Sequence, residues 1–429
     1  MAQCVARGER VLCCAASNVA VDNLLERLRV AAPRVRAVRL GHPARLSPSV
    51  LECCLDAAVG RADSSALAAD VRKEMKALTA RLLRLGPRDR AERRDTRREL
   101  NALAREERAR SSAAVKEVLT AAQVVAATLT GSLSRTLSAV TRDRPFDVVV
   151  IDEAAQALEI ACWGALLQGR RAVLAGDHLQ LPPTVCCDAA ARGGLARTLF
   201  ERVHDAQPQL ARMLTVQYRM HGDIADWASG ELYGGRLTAP EEVAGRTLAS
   251  LGQEVAGCAL ADVPVLLLID TAGCNMPEAA GGEGGFQQES KSNEGEARAA
   301  LAHAARLVAA GVPAAGIGVI TPYAAQVALL RALRAEAGAP LEGVEVSTVD
   351  GFQGREKEAV IITCVRSNDR GEVGFLADAR RMNVAVTRAR RHCAVVSDVE
   401  TLSRGDPFLR RLCAWFEAHG EVRSAAEYV

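Results

Sequence analysis

Asp152 and Glu153 form a carboxylate pair at the end of an apolar run in the stretch FDVVVIDEAAQ, residues 146–156. Val148 to Ile151 carry no polar interruption, which suits a parallel strand buried on both faces. In open α/β sheets, ligands sit at the carboxyl ends of such strands. The pair is therefore placed for nucleotide chemistry. Asp152 would hold Mg²⁺, directly or through water, and Glu153 would orient or deprotonate an attacking water. On this stretch alone, an acidic turn that caps the next helix fits as well, because carboxylates favour helix N-termini.

The chain around the pair has 429 residues, enough for two or three domains with separate cores. Hydrophobic residues make up 49% and charged ones 25%, a globular balance, and the net charge is only +2. Any basic surface for nucleic acid must then be local. No stretch is long enough to span a membrane and no signal-peptide pattern is present, so no membrane partner is expected. The 13 cysteines include no C-x-x-C pair, which argues against structural zinc and for reduced thiols used as small apolar residues.

Elements that could position the acids follow from the pattern. A strand over Val11–Ala16 runs into Ser17-Asn18, whose hydroxyl and amide could contact a phosphate or cap the next helix. Leu24, Leu25, Leu28 and Val30 give that helix an apolar side. From Asp56 to Val118, Arg and Glu dominate, with Leu and Ala at helical spacing and a break at Gly86-Pro87. This predicts an antiparallel helical hairpin inserted between strands. Its arginines (Arg88, Arg90, Arg93, Arg94, Arg97, Arg98) could track a nucleic-acid backbone or pair with neighbouring glutamates on a solvated face. Strands over Val124–Thr128 and Ala172–Ala175 follow. The latter ends in GDHLQLPP, residues 176–183, a rigid polar loop whose Gln180 amide could sense a γ-phosphate. Alternating strands and helices predict a parallel, doubly wound sheet.

A second unit opens near Leu214 with VQYRMH, residues 216–221. Strands are predicted over Val265–Ile269, Ile317–Ile320, Val344–Val349, Ala359–Val365 and, last, Cys393–Ser397. Between them lie a Gly-, Glu-, Gln- and Ser-rich stretch, Gly273–Glu296, expected to be a mobile loop, and a helix over Ala297–Ala310. The architecture of the first half is repeated without its sequence. Domains are expected at residues 1–212 and 213–429, with the helical insertion at about 56–118.

Taken in order, six segments make the chain resemble the superfamily-1 helicases of the Upf-like group, and within it the immunoglobulin mu-binding (Smubp-type) helicases. They are CCAASNVAVDNL, VVVIDEAAQALE, LAGDHLQLPP, TVQYRMH, VDGFQGREKEAVI and RRMNVAVTRARRH. The resemblance implies two tandem RecA-like domains, ATP with Mg²⁺ in the cleft between them, and single-stranded RNA or DNA lying across both. It implies a 5′ to 3′ helicase, monomeric, in nucleus and cytoplasm, with ribosome- or tRNA-associated partners. Residue by residue, Glu153 matches the water-activating acid, Gln180 the γ-phosphate sensor, and Arg219 and Arg388 the arginine fingers. Asp152 matches the Mg²⁺ ligand, Tyr218 the aromatic beside adenine, and Glu356 the residue touching ribose or linking ATP to nucleic acid. Ser17, Asn18, Thr128, Pro322, Tyr323 and Thr348 fall where the family grips the strand backbone.

One family part is missing. The G-x-x-x-x-G-K-[ST] phosphate loop has no counterpart, because the sequence contains no Gly-Lys pair. Met1–Arg10 resembles the helix that follows that loop. The expectation is an N-terminally truncated form that hydrolyses ATP poorly and whose first domain is the less stable. A catalytically inactive single-strand- or partner-binding module is the alternative.

Overall fold

Short runs of valine, isoleucine, leucine and alanine form the strands of two separate parallel sheets. The computed structural model describes residues 1–61, 63–86, 89–251, 260–280 and 290–429. Its contacts divide the chain into two units, residues 1–178 with 182–210, and residues 211–429 with 179–181.

The first unit holds β1 (Val11–Ala15), β2 (Ala37–Arg39), β3 (Val124–Thr128), β4 (Phe146–Asp152) and β5 (Gly169–Leu174). They lie in the order β2-β3-β1-β4-β5, every pair parallel. Core clusters built on Leu12, Val125 and Val149, and on Val11, Cys13 and Val124, cover the two faces. The helix Asn18–Ala31 buries Val21, Leu25 and Leu28. Val30, expected on the same side, is exposed; two residues past Leu28 the helix has turned about 200°. β2 escapes the sequence pattern because it has three residues and one of them is charged. That residue, Arg39, is fully buried against Asp22, Nε to Oδ1 2.7 Å.

Two long helices, Asp63–Arg84 and Arg90–Ala121, precede β3. The pairs Arg72–Glu107 at 2.9 Å and Arg81–Glu92 at 2.6 Å show them to be antiparallel. Arg93 donates to the Leu85 carbonyl at 2.6 Å and Arg98 lies 3.9 Å from Asp95, so part of the arginine run has partners in the hairpin. Arg88 lies outside the described residues.

The second unit holds β6 (Leu266–Asp270), β7 (Ala279–Ala280), β8 (Lys291–Ser292), β9 (Ile317–Thr321), β10 (Glu345–Thr348), β11 (Lys357–Thr363), β12 (Ala389–Ser397) and β13 (Glu421–Ser424). Six form one parallel sheet in the order β10-β9-β11-β12-β6-β13. The helix Glu294–Ala309 packs in one core layer and Trp227, Phe352 and Phe416 in the other. β13 follows β12, which the sequence pattern had marked as the last strand; its four residues, EVRS, are mostly polar and lack an apolar run. The stretch expected as a loop contains the antiparallel pair β7–β8. It also contains the start of the helix, capped by Asn293 three residues before Glu296. Residues 281–289 of that stretch lie outside the described residues.

Candidate nucleotide and nucleic-acid sites

In the first unit, register gathers the candidate residues at the carboxyl edge of the sheet. Ala15 at the end of β1 pairs with Thr128 on one side and Asp152 on the other. Glu153 then takes a left-handed conformation, φ 52°, which a residue with a Cβ adopts rarely. The turn is held from β5: Ala154 donates to the Ala175 carbonyl and Ala175 to the Ile151 carbonyl, both at 2.8 Å. A Cβ on Gly176 would lie 2.9 Å from the Ala155 nitrogen, so only glycine allows this approach. Glu153 accepts a hydrogen bond from the Gln156 amide at 2.6 Å.

Asp152 is half-buried, and its burial pushes the carboxyl above the usual carboxylate range, with a hydrogen bond from the Glu153 backbone opposing. Among the described residues, no three His, Cys, Asp or Glu side chains cluster to hold a metal. That donor set fits Mg²⁺ arriving with a nucleotide, since Mg²⁺ takes one or two carboxylates together with phosphate oxygens and water.

Ser17 and Thr128 cap turns. Ser17 Oγ accepts from the Ala20 nitrogen at 3.1 Å and Thr128 Oγ1 from the Gly131 nitrogen at 3.0 Å. Ser17 is also exposed, so the cap leaves its hydroxyl within reach of a ligand. Asn18 is oriented from below: its Oδ1 accepts from Arg39 at 2.9 Å, the same guanidinium that pairs with Asp22.

In the second unit, Glu356 is the hub. Its carboxylate accepts from Arg219 Nε at 2.5 Å and from Arg390. Burial works against its charge, but the hydrogen bonds and charges of Arg390 and Arg219 hold it below the usual carboxylate range. Arg219 also donates to the Thr387 carbonyl at 3.1 Å. Tyr218 beside it is 66% exposed. Arg388, expected as an arginine finger, is 2% exposed and turned into its own unit. It donates to the Val384 carbonyl at 3.0 Å and to Thr387 Oγ1 at 3.1 Å. Gln180 is half-buried within the segment 179–181. Leu179 beside it accepts from Asn383 Nδ2 at 2.8 Å, and Leu181 is buried in the second core.

Family models described as AAA domain match residues 2–188 and 195–400, one over most of each unit. The chain is 49% identical over 428 residues to the DNA-binding protein SMUBP-2 of Mesocricetus auratus, covering 100% of this chain and 42% of that protein. It is 39% identical to the DNA polymerase alpha-associated DNA helicase A of Schizosaccharomyces pombe, covering 98% of this chain and 61% of that one. The chain belongs to the Upf-like helicases of superfamily 1. A Regulator of nonsense transcripts 1 homolog of Arabidopsis thaliana matches at 32% identity over 96% of this chain and 30% of its own length. The chain thus spans less than half the length of the SMUBP-2 relatives. Its two units are the tandem RecA-like domains of the family.

In the second unit, Thr348 and Pro322 lie at the carboxyl ends of β10 and β9, where Thr348 pairs with Thr321. Thr348 Oγ1 accepts from the Gly351 nitrogen at 3.1 Å. Tyr323, expected at the surface that grips a strand, is instead 2% exposed, with its hydroxyl donating to the Val373 carbonyl at 3.4 Å. The cause is a turn fifty residues away in sequence. Gly374, φ 54°, lets Arg366 and the Tyr323 hydroxyl pack where a Cβ would collide, 2.5 Å and 2.9 Å away.

Two groups were not singled out from sequence. Arg390 belongs to the segment RRMNVAVTRARRH, where its basic run RARR is the one signal the sequence offers for it. Glu296 lies in a stretch whose composition reads as loop, yet it is fully buried. It accepts from Val365 N at 2.7 Å and Thr363 Oγ1 at 2.9 Å. Burial lifts its carboxyl to about 8. No pattern announced it.

Proposed function

We propose that this chain is the motor core of an ATP-dependent helicase or translocase that moves 5′ to 3′ on single-stranded RNA or DNA. The observation that carries this reading is the Asp152–Glu153 pair, set by a left-handed turn at the edge of a parallel sheet. Asp152 would hold Mg²⁺ on the ATP phosphates, and Glu153 would take the proton of the attacking water. Gln180 would report the γ-phosphate and Tyr218 would lie on the adenine. Arg219 and Arg388 are carried by the other unit. Their charge would act only in a state that brings them to the nucleotide, an effect worth roughly 10³ to 10⁵ in rate where arginine fingers operate. Glu356 would link that event to the strand. Ser17, Asn18, Thr128, Pro322 and Thr348 offer small polar or apolar contacts suited to a backbone, which gives binding independent of sequence. Monomeric action, nuclear and cytoplasmic residence, and partners around the ribosome or tRNA belong to the same proposal.

A second reading rests on one observation: no Gly-Lys pair occurs in the 429 residues. A polypeptide of these residues alone lacks the lysine and backbone amides that cradle phosphates, and it would bind strands while turning over ATP slowly. ATPase assays with and without single strands separate the two readings. They compare the 429 residues with a longer polypeptide in which a G-x-x-x-x-G-K-[ST] loop precedes them. Strand-stimulated hydrolysis by the longer form, abolished by Glu153→Gln, is the expected result. Strand binding without hydrolysis in both forms would establish the binding module instead.

A further inference from the structure

We propose that Phe375, with Arg381 against its ring, is a stacking platform for one base of the bound single strand. The proposal rests on the nucleic-acid reading above and deepens it. Phe375 is 48% exposed, whereas the other described phenylalanines are buried or half-buried. Looseness does not account for that exposure, because both flanks of the residue are anchored. Val373 and Leu376 are buried in the core of the second unit, and Gly374 makes the turn between them in a left-handed conformation. The chain is thus pinned two residues before the ring and one residue after it, and the ring is left outside.

Its surroundings suit a nucleobase. Tyr323 lies beneath, the ring centroids 5.5 Å apart at 45°. The Arg381 guanidinium stands 5.5 Å from the Phe375 centroid and donates to the Phe375 carbonyl at 3.3 Å. It is held there by Asp350 at 3.3 Å. Asp350 and Gly351 stand two and three residues after Thr348, and the Gly351 nitrogen donates to the Thr348 hydroxyl. One edge of the sheet therefore presents a hydroxyl for a backbone beside an aromatic face and a cation. Bases of any identity stack on such a face, and a guanidinium beside the ring adds cation–π attraction. The buried Tyr323 becomes a positioning residue: it supports the ring that does the stacking.

The test uses fluorescence anisotropy at fixed salt, without ATP, on the 429-residue chain and its Phe375→Ala, Phe375→Leu and Phe375→Trp variants. The probes are labelled oligo(dT) and an abasic strand of equal length, with circular dichroism to confirm folding. Phe375→Ala and Phe375→Leu should each weaken oligo(dT) binding about tenfold. Phe375→Trp should bind like the parent, with its indole fluorescence quenched by the strand. The parent should lose a similar factor on the abasic strand, and Phe375→Ala should barely distinguish the two probes. If Phe375→Leu binds as the parent does, or Phe375→Ala discriminates the probes undiminished, the platform is refuted while strand binding stands. If the parent binds neither probe, the nucleic-acid reading falls and the platform with it.

Discussion

The edges of the two sheets are built differently. In the first unit β5 presents Arg170, Arg171, Ala172 and Val173 to solvent on both faces, Val173 being 53% exposed. Ile160 and Trp163 on the preceding helix, Glu159–Leu166, and Leu167 just after it are exposed as well. In the second unit the edges are short and guarded by charge. Glu345 on β10 pairs with Arg355 and Lys357, and Arg423 on β13 pairs with Glu421. The strands between are mostly buried. An open apolar edge invites pairing with another strand, and charge with short length discourages it. The difference is one of length and charge: β5 has six residues with Val173 exposed, whereas β10 and β13 have four each, and the exposed Val422 on β13 is flanked by the paired Glu421 and Arg423.

That contrast can be broken or sharpened experimentally. The largest effect is expected at Arg39→Met. This change strands the Asp22 carboxylate in the interior and should destabilise the first unit by roughly 3–5 kcal/mol. Two-transition urea unfolding should show only the first unit's transition moving, with Asp22→Leu in the same chain recovering much of the loss. If both transitions move together, the units are not independent.

Next is Glu296 in the second unit. Its folded carboxyl titrates at about 8, above the unfolded value, so the folded unit keeps a proton that the unfolded chain gives up. Its contribution is whole below the unfolded value and is lost as pH rises towards 8, by up to about 1.4 kcal/mol per pH unit. Glu296→Gln keeps an acceptor for Val365 and Thr363. It should flatten the pH dependence of the second unit's stability between pH 5 and 8, as read from thermal melts. A slope equal to the parent's would show that Glu296 is not the group responsible.

The smallest effect on stability is expected at Val173→Lys, within about 0.5 kcal/mol, because the residue is exposed. Its effect on behaviour should be clear: less aggregation by light scattering at high concentration, since lysine blunts an edge strand. Unchanged scattering would mean that β5 is not the sticky surface.

The placement of much of the candidate site was legible because its motifs are short, contiguous and attached to strand ends. The carboxylate pair, the polar loop after β5 and the basic segment RRMNVAVTRARRH could all be read that way. β2 and β13 could not, because three or four residues bearing charge carry no apolar alternation, and neighbours in the sheet make them strands. The burial of Tyr323 depends on a glycine turn far along the chain, which spacing does not reveal. The helix start at Glu294 was hidden by glycine and glutamate around it, although Asn293 is an ordinary cap.

Glu356 serves two guanidiniums at once, and this sharing determines what happens when one of them leaves. If Arg219 swings to an anionic ligand, Arg390 stays on the carboxylate, so no bare anion is left behind in a half-buried place. The departing arginine gives up the carboxylate and the Thr387 carbonyl, and the carboxylate it leaves keeps Arg390 as a partner. A single acid with two suitors is thus a relay contact: it can hand over a cation repeatedly without disturbing the charge balance of the unit that holds it.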